Sequence, residues 1–390
     1  MTHSDLSAEM AETDAWISAC LRKDPPDGLR HPPLDTAALI SRVAYHGVVG
    51  LLAEDAALMA RLPDEVAQGM QDIARGHAFW ELAHRRLLTR LAPDLAAAGI
   101  APLILKGTAL AYLVYDKPAL RPRGDTDVVV AEADYTRTQQ ILKAHGFSLA
   151  FAPGGQIVSS QCSYERHDGH GLHHVIDLHR QTNNHAALAG VFPYAELRAR
   201  AEPLDGLAPM LLRPGLVDAM LFACYHRFMH IAKPITVTGT SHLSENRLIW
   251  LLDMVRIARF LSDSDWETLV VRAREKGLLR ICHGSLVAAR DWAGLDLPAP
   301  VLQALESAPP DEPPMRFLRA GRAGRLMANL AATPGTGQRL GFLWETAFPP
   351  AAYMREAFGH AGRPEPLPKL YLRRAWRGLA ALTQKGGTDL

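Results

Sequence analysis

Two short apolar runs constrain this chain more than any other feature. Ala101-Pro102-Leu103-Ile104-Leu105 and Val128-Val129-Val130 both read as buried strands. Around them the apolar residues recur at three- and four-residue steps, as at Ala74, Ala78 and Leu82 or at Leu87, Leu88 and Leu91, which is the helical period. The spacing also predicts a helix over 134–145, closed by Gly146 as a left-handed cap, and further strands over 147–151, 161–166 and 173–179. The expected fold is therefore α+β, a small mixed sheet flanked by N-terminal and C-terminal helical regions.

Four segments follow from the pattern: a helical region over 1–95, an α+β core over 96–185, a helical bundle over 186–300, and a linker with a mixed C-terminal region over 301–390. The bundle is expected to hold helices at Leu216–His230, Asn246–Leu261, Asp265–Lys276 and Leu278–Trp292. Residues 294–314, rich in proline and acidic side chains, read as the linker; a helix-like stretch near 315–332 and a basic end with Lys369, Arg373, Arg374 and Arg377 follow.

A net charge of +1 supplies no long-range field towards nucleic acid or an anionic membrane. The cysteines, Cys20, Cys162, Cys224 and Cys282, are scattered without a C-x-x-C pair, which argues against a zinc ribbon or a disulfide framework. The longest apolar candidate, Leu248 to Leu261, is broken by Asp253, Arg256 and Arg259, short of the ~18–20 residues that span a bilayer. The acidic first residues lack the form of a secretory signal. A cytoplasmic protein without a membrane partner is expected.

The candidate chemistry lies at the entry to the second strand. Asp125 and Asp127 stand two apart, so in extended backbone both carboxylates project from one face. Like charges held that close call for a cation, and Mg²⁺ takes one or two carboxylates together with substrate phosphates. A D-x-D by itself is common in surface turns. The upstream context adds weight: Gly107-Thr108 falls between a strand and a helix, where free backbone N–H groups can grip a phosphate and a hydroxyl can add a donor.

The run Leu105-Lys106-Gly107-Thr108-Ala109-Leu110-Ala111, then Tyr115, Pro118, Arg121, Arg123 and Gly124-Asp125-Thr126-Asp127-Val128-Val129-Val130, resembles the polymerase-β-type nucleotidyltransferase superfamily. More narrowly it is similar to an uncharacterised bacterial branch with a K-G…R…D-x-D pattern. Gly107-Thr108 stands where the superfamily has Gly-Gly or Gly-Ser. A looser likeness runs to about residue 180, and the W-L-L-D helix, Trp266 and Arg272–Gly277 also resemble that branch.

The resemblance implies a third acid on a neighbouring strand. Asp177, in Val175-Ile176-Asp177-Leu178-His179, fits it, with Glu165 the weaker competitor. Asp125, Asp127 and Asp177 are then the expected metal ligands and catalytic residues, with Lys106, Gly107, Thr108, Arg121 and Arg123 on the nucleotide. His179 shares the face of Asp177, and His226 and His230 lie near one face of their helix; these are the acceptor-side candidates. His167, His170, His173 and His174 match no zinc spacing and read as polar surface.

The implied reaction is transfer of a nucleoside monophosphate from an NTP, ATP being the expected donor, to a hydroxyl of a small molecule, peptide or protein with Mg²⁺ or Mn²⁺. A phosphotransferase and a non-catalytic nucleotide-binding or scaffold protein are the rival readings. Template-dependent polymerisation is disfavoured by the charge balance, while tRNA stays open as an acceptor. Oligomeric state is not legible.

Overall fold

The computed structural model describes residues 3–23, 35–231, 235–237, 240–242, 246–360 and 365–383. Before the sheet come α1 (His3–Arg22), α2 (Thr36–His46) and the long α3 (Asp64–Ala97). The sheet segment then runs β1 (Leu103–Leu105), α4 (Lys106–Leu113), β2 (Asp125–Val129), α5 (Tyr135–Ala144), β3 (Ser148–Leu149), β4 (Gln161–His167), β5 (His173–His179), β6 (Glu202–Leu204) and β7 (Ala208–Arg213). After it stand α6 (Leu216–Ile231), α7 (Leu248–Ala258), α8 (Asp263–Glu275), α9 (Leu279–Ala293) and α10 (Ala299–Glu306). The C-terminal helices are α11 (Pro313–Arg319), α12 (Arg322–Ala332), α13 (Thr336–Ala347), α14 (Ala351–Phe358) and α15 (Leu367–Thr383).

The strands form one seven-stranded mixed sheet in the order β3-β4-β5-β2-β1-β7-β6. The fold is α+β, with helices before and after the sheet, as the sequence predicts. β2 sits at its centre, antiparallel to β1 and parallel to β5. The two-residue period of a strand splits its side chains between two cores. Ile104, Val128, Val130, Ile176 and Leu178 pack beneath the sheet against Leu88, Leu91 and Leu95 of α3. Leu103, Leu105 and Val129 face the other way, into the larger core that also takes Val43, Met220, Leu251, Leu269, Leu286 and Leu305. Asp125 and Asp127 share the face of Val129, so the chain sends its carboxylates towards the helical bundle.

Local chemistry accounts for the bundle's boundaries. Ser262 opens α8 with a reciprocal cap to Asp265. Gly47 closes α2 at φ +71°, and a Cβ there would come within 3.2 Å of Ile249 and 3.3 Å of Arg247, so the glycine lets α7 pack on the end of α2. The buried pair of Arg121 with Asp253, joined by the Tyr115 hydroxyl, fastens the loop before β2 to α7.

Three details depart from the sequence reading. The sheet does not end near residue 185: β6 and β7 arise from a stretch read as wholly helical, and β7 joins β1 in parallel at Leu103 and Leu212. The strand expected over 147–151 shrinks to Ser148–Leu149. The expected linker over 294–314 contains α10, whose Val301 and Leu305 are buried in the main core, because Pro298 fits the position just ahead of a helix as well as it fits a linker. Among the described residues no helix is long and apolar enough to cross a membrane.

Candidate active site

Asp127 and Asp177 lie directly opposite each other across the parallel β2–β5 pair. Facing residues of paired strands point the same way, so both carboxylates and the His179 ring two residues on crowd one spot. Asp127, Asp177 and His179 each offer a ligand atom, and these atoms all fall within 4.8 Å of one another. His179 Nε2 lies 3.0 Å from Asp127 Oδ1, while its Nδ1 is buried without a hydrogen-bond partner. Asp177 accepts from Ser163 Oγ at 2.5 Å and from Gln161 Nε2 at 3.4 Å, both on β4. Oxygens from two carboxylates beside an imidazole nitrogen are a donor set that can hold a metal ion.

Asp125 occupies the same face at the mouth of the site and lines the same cleft. Its carboxyl is pushed up to about 6, first by the desolvation of its surroundings and then by Asp127 and Asp177. Asp127 goes the other way. Burial would raise it, but Lys106 and His179 outweigh that and hold it well below the usual carboxylate range. The crowding of Asp127 and Asp177 beside Asp125 is the kind of charge arrangement that a bound cation would neutralise.

Lys106 places its Nζ on Asp127 Oδ1, and its backbone sits at φ +52°, a left-handed conformation costly for any residue with a Cβ. That conformation turns β1 directly into α4, whose first N–H groups have no side-chain cap. Gly107 leaves room there for Arg121: a Cβ would stand 3.3 Å from its Nη1.

Several polar groups assigned from sequence to the nucleotide are engaged by the protein. Thr108 Oγ1 is buried, 2.9 Å from Thr126 Oγ1, and accepts from Arg123 Nε at 2.9 Å. Arg123 also forms an ion pair with Glu81 of α3 at 2.7 Å. Arg121 donates two hydrogen bonds to Asp253, from Nε and Nη2. Each arginine has a carboxylate at hand, so its charge is matched within the fold, a pairing that spacing cannot foresee because Glu81 and Asp253 are remote in sequence. Glu165 pairs with His173 at 2.9 Å and stays out of the carboxylate cluster. His174 is buried against His84, which in turn meets Thr126 at 2.7 Å from beneath the sheet, so this histidine is no surface residue. His167 and His173 stack on each other at 4.5 Å.

The cluster opens into a cleft of ≈ 790 Å³. Its lining also includes His226 and His230 of α6, Trp250 of α7, and Arg247 just before α7. The His226 and His230 rings sit 4.5 Å apart, with His226 5.5 Å from Trp250. Burial, and then His230, hold His226 well below the usual imidazole range, so it is neutral. Sequence reasoning missed Arg247, His77, Gln161 and the Asn183-Asn184 pair, all of which line the cleft. None carries a local motif.

A family model described as uncharacterised nucleotidyltransferase matches residues 32–294. The chain belongs to that family. The match takes in the sheet, α2 and α3 before it, and the bundle as far as α9, so every residue of the carboxylate cluster falls inside it. No curated protein matches this nucleotidyltransferase-family chain significantly. Membership supports nucleotidyl transfer as the reaction class and an NTP as substrate.

Proposed function

We propose that the protein transfers a nucleoside monophosphate from an NTP, ATP being the expected donor, to an acceptor hydroxyl. One observation carries the reading: the register that sets Asp127 beside Asp177, with Asp125 on the same face and His179 against them. Asp125, Asp127 and Asp177, with His179, would hold the divalent cation. Mg²⁺ or Mn²⁺ bound there supplies the positive charge that lets a triphosphate approach three carboxylates.

The remaining work falls to the chain's own groups. The uncapped N–H groups at the start of α4 and the ammonium of Lys106 face the donor's phosphates. Arg121 and Arg123, matched by Asp253 and Glu81, hold in place the loop that leads into Asp125. The acceptor oxygen bonds to the α-phosphorus as the bond to the bridging oxygen breaks, and pyrophosphate leaves with that electron pair. The hydroxyl proton passes to Asp177, whose orientation Ser163 and Gln161 fix, and from there to solvent.

The test is the double substitution Asp125→Asn with Asp127→Asn. It is expected to keep the wild-type far-UV circular dichroism and to lose metal-dependent pyrophosphate release from ATP by 10³-fold or more, an order-of-magnitude figure for removing charge-stabilising groups. Retention of wild-type release would sink the reading. Intact-mass analysis of any modified acceptor separates it from phosphoryl transfer, because a nucleotide adds far more mass than a phosphate.

A further inference from the structure

Of the cations that line the cleft, Lys106, Arg121 and Arg123 each contact a carboxylate of the protein: Asp127, Asp253 and Glu81. Arg247 does not. Its Nε donates to the Tyr45 carbonyl at 2.6 Å, and its guanidinium lies over the Tyr45 and Trp250 rings, 5.8 and 5.6 Å from their centroids. Among the described residues no carboxylate is within salt-bridge distance of it.

A guanidinium held against aromatic rings without a counter-charge is expensive to keep, and its fork of donors fits a carboxylate. Burial, and then the charge of Arg121, lower it to about 10, so it remains a cation at neutral pH. Arg247 sits on the α2 and α7 side of the cleft, against Tyr45 and Trp250, while Lys106 sits on Asp127 at the sheet. The donor's phosphates belong near the aspartates and Lys106, so the anion that Arg247 awaits is a different one. The wall beside it is aromatic: Trp250 meets the neutral His226 edge-on and His230 at a tilt.

Resting on the transfer reading, we infer that the acceptor is a hydroxyl-bearing carboxylic acid with an aromatic or apolar body, and that Arg247 binds its carboxylate. One charge on the acid matches one arginine; a phosphate dianion would bring surplus negative charge into a cleft that already holds three acids. A small hydroxy acid and the free C-terminus of a peptide share this chemistry.

The test is calorimetric titration of the full chain, with Mg²⁺ and a non-hydrolysable ATP analogue present, using two probe pairs. One pair is indole-3-lactic acid and its amide; the other is N-acetyl-seryl-tryptophan as acid and as C-terminal amide. The acid of at least one pair is expected to bind about ten-fold or more tightly than its amide, and the pair with the stronger acid says whether a small acid or a peptide end is the source. Arg247→Met is expected to erase that preference and leave the affinity for the ATP analogue unchanged. Arg247→Gln, which keeps an N–H for the Tyr45 carbonyl, gives the same readout should the methionine variant unfold. Equal binding of acid and amide by wild type, or no binding of either, overturns the inference; so does a variant that keeps the preference or loses the ATP analogue instead. The titration needs no turnover. An Arg247-dependent preference in a protein that releases no pyrophosphate would leave the carboxylate site at Arg247 standing while the transfer reading falls.

Discussion

Arg121 shows how much of this site depends on a partner 132 positions away in the chain. Its guanidinium reaches Asp253 through two donors at 2.8 and 2.7 Å, with the Tyr115 hydroxyl on the same carboxylate, and both charged side chains are buried. Removing one member of such a pair leaves the other buried and uncompensated, which costs about 3–5 kcal/mol. Asp253→Ala is therefore expected to lower stability by that amount in urea unfolding. Arg121→Met placed on the Asp253→Ala background should recover a large part of the loss, and a double variant no more stable than the single one would show that the pair is not what holds the loop. The same residue marks a limit of sequence reading: Arg121 stands in the motif, yet nothing local says that its charge is matched inside the bundle.

At the scale of elements, the C-terminal helices hold the loop before β4 from outside the span of the family match. Glu345 of α13 accepts from the backbone N–H groups of Gln156, Ile157 and Val158 at 3.0, 2.7 and 3.0 Å, and Glu356 of α14 accepts from Ala152 at 2.7 Å. That loop leads directly into β4, which carries the Ser163 and Gln161 contacts to Asp177. Glu345→Ala is expected to leave the global melting temperature within ~1 °C while hydrogen exchange at 155–160 speeds up by an order of magnitude or more, the mark of local opening. Unchanged exchange there would mean that the carboxylate does not hold the loop. The elements themselves were legible to different degrees. The D-x-D strand, α5 with its Gly146 cap and the four bundle helices follow from period and punctuation, because each is a local pattern. β7 did not, since Ala208–Arg213 becomes a strand through pairing with β1, a contact no window of sequence contains. Arg247 escaped for the same reason: that no carboxylate among the described residues pairs with it is visible only in the fold.

For the whole molecule, buried imidazoles set the response to acid. His46, His84 and His174 are buried, and burial is the leading cause that holds each below the ordinary imidazole value of 6.5. Folded, they are neutral; unfolded, they take up protons as pH falls through 6.5. The unfolded state thus gains protons that the fold refuses, so stability is full above that value and declines below it, by up to about 1.4 kcal/mol per pH unit for each ring. The melting temperature should hold from pH 8 to 7 and drop between pH 6.5 and 5. His84→Asn, which still offers a polar group to Thr126, should flatten that drop, and an equally steep drop in the variant would remove His84 from the account.

The register between β2 and β5 has a consequence for how such a protein can change over time. Asp127 and Asp177 are neighbours because two strands in mid-sheet are hydrogen-bonded along their length, so no single side-chain exchange moves one relative to the other. Another part of the cleft lining comes from individual side chains on α6 and α7 and at the residue before α7, each replaceable without touching a strand. The carboxylate cluster is inherited as a block while the lining around it is open to revision one residue at a time, and descendants of one ancestor can keep the cluster and part company over what fits beside it.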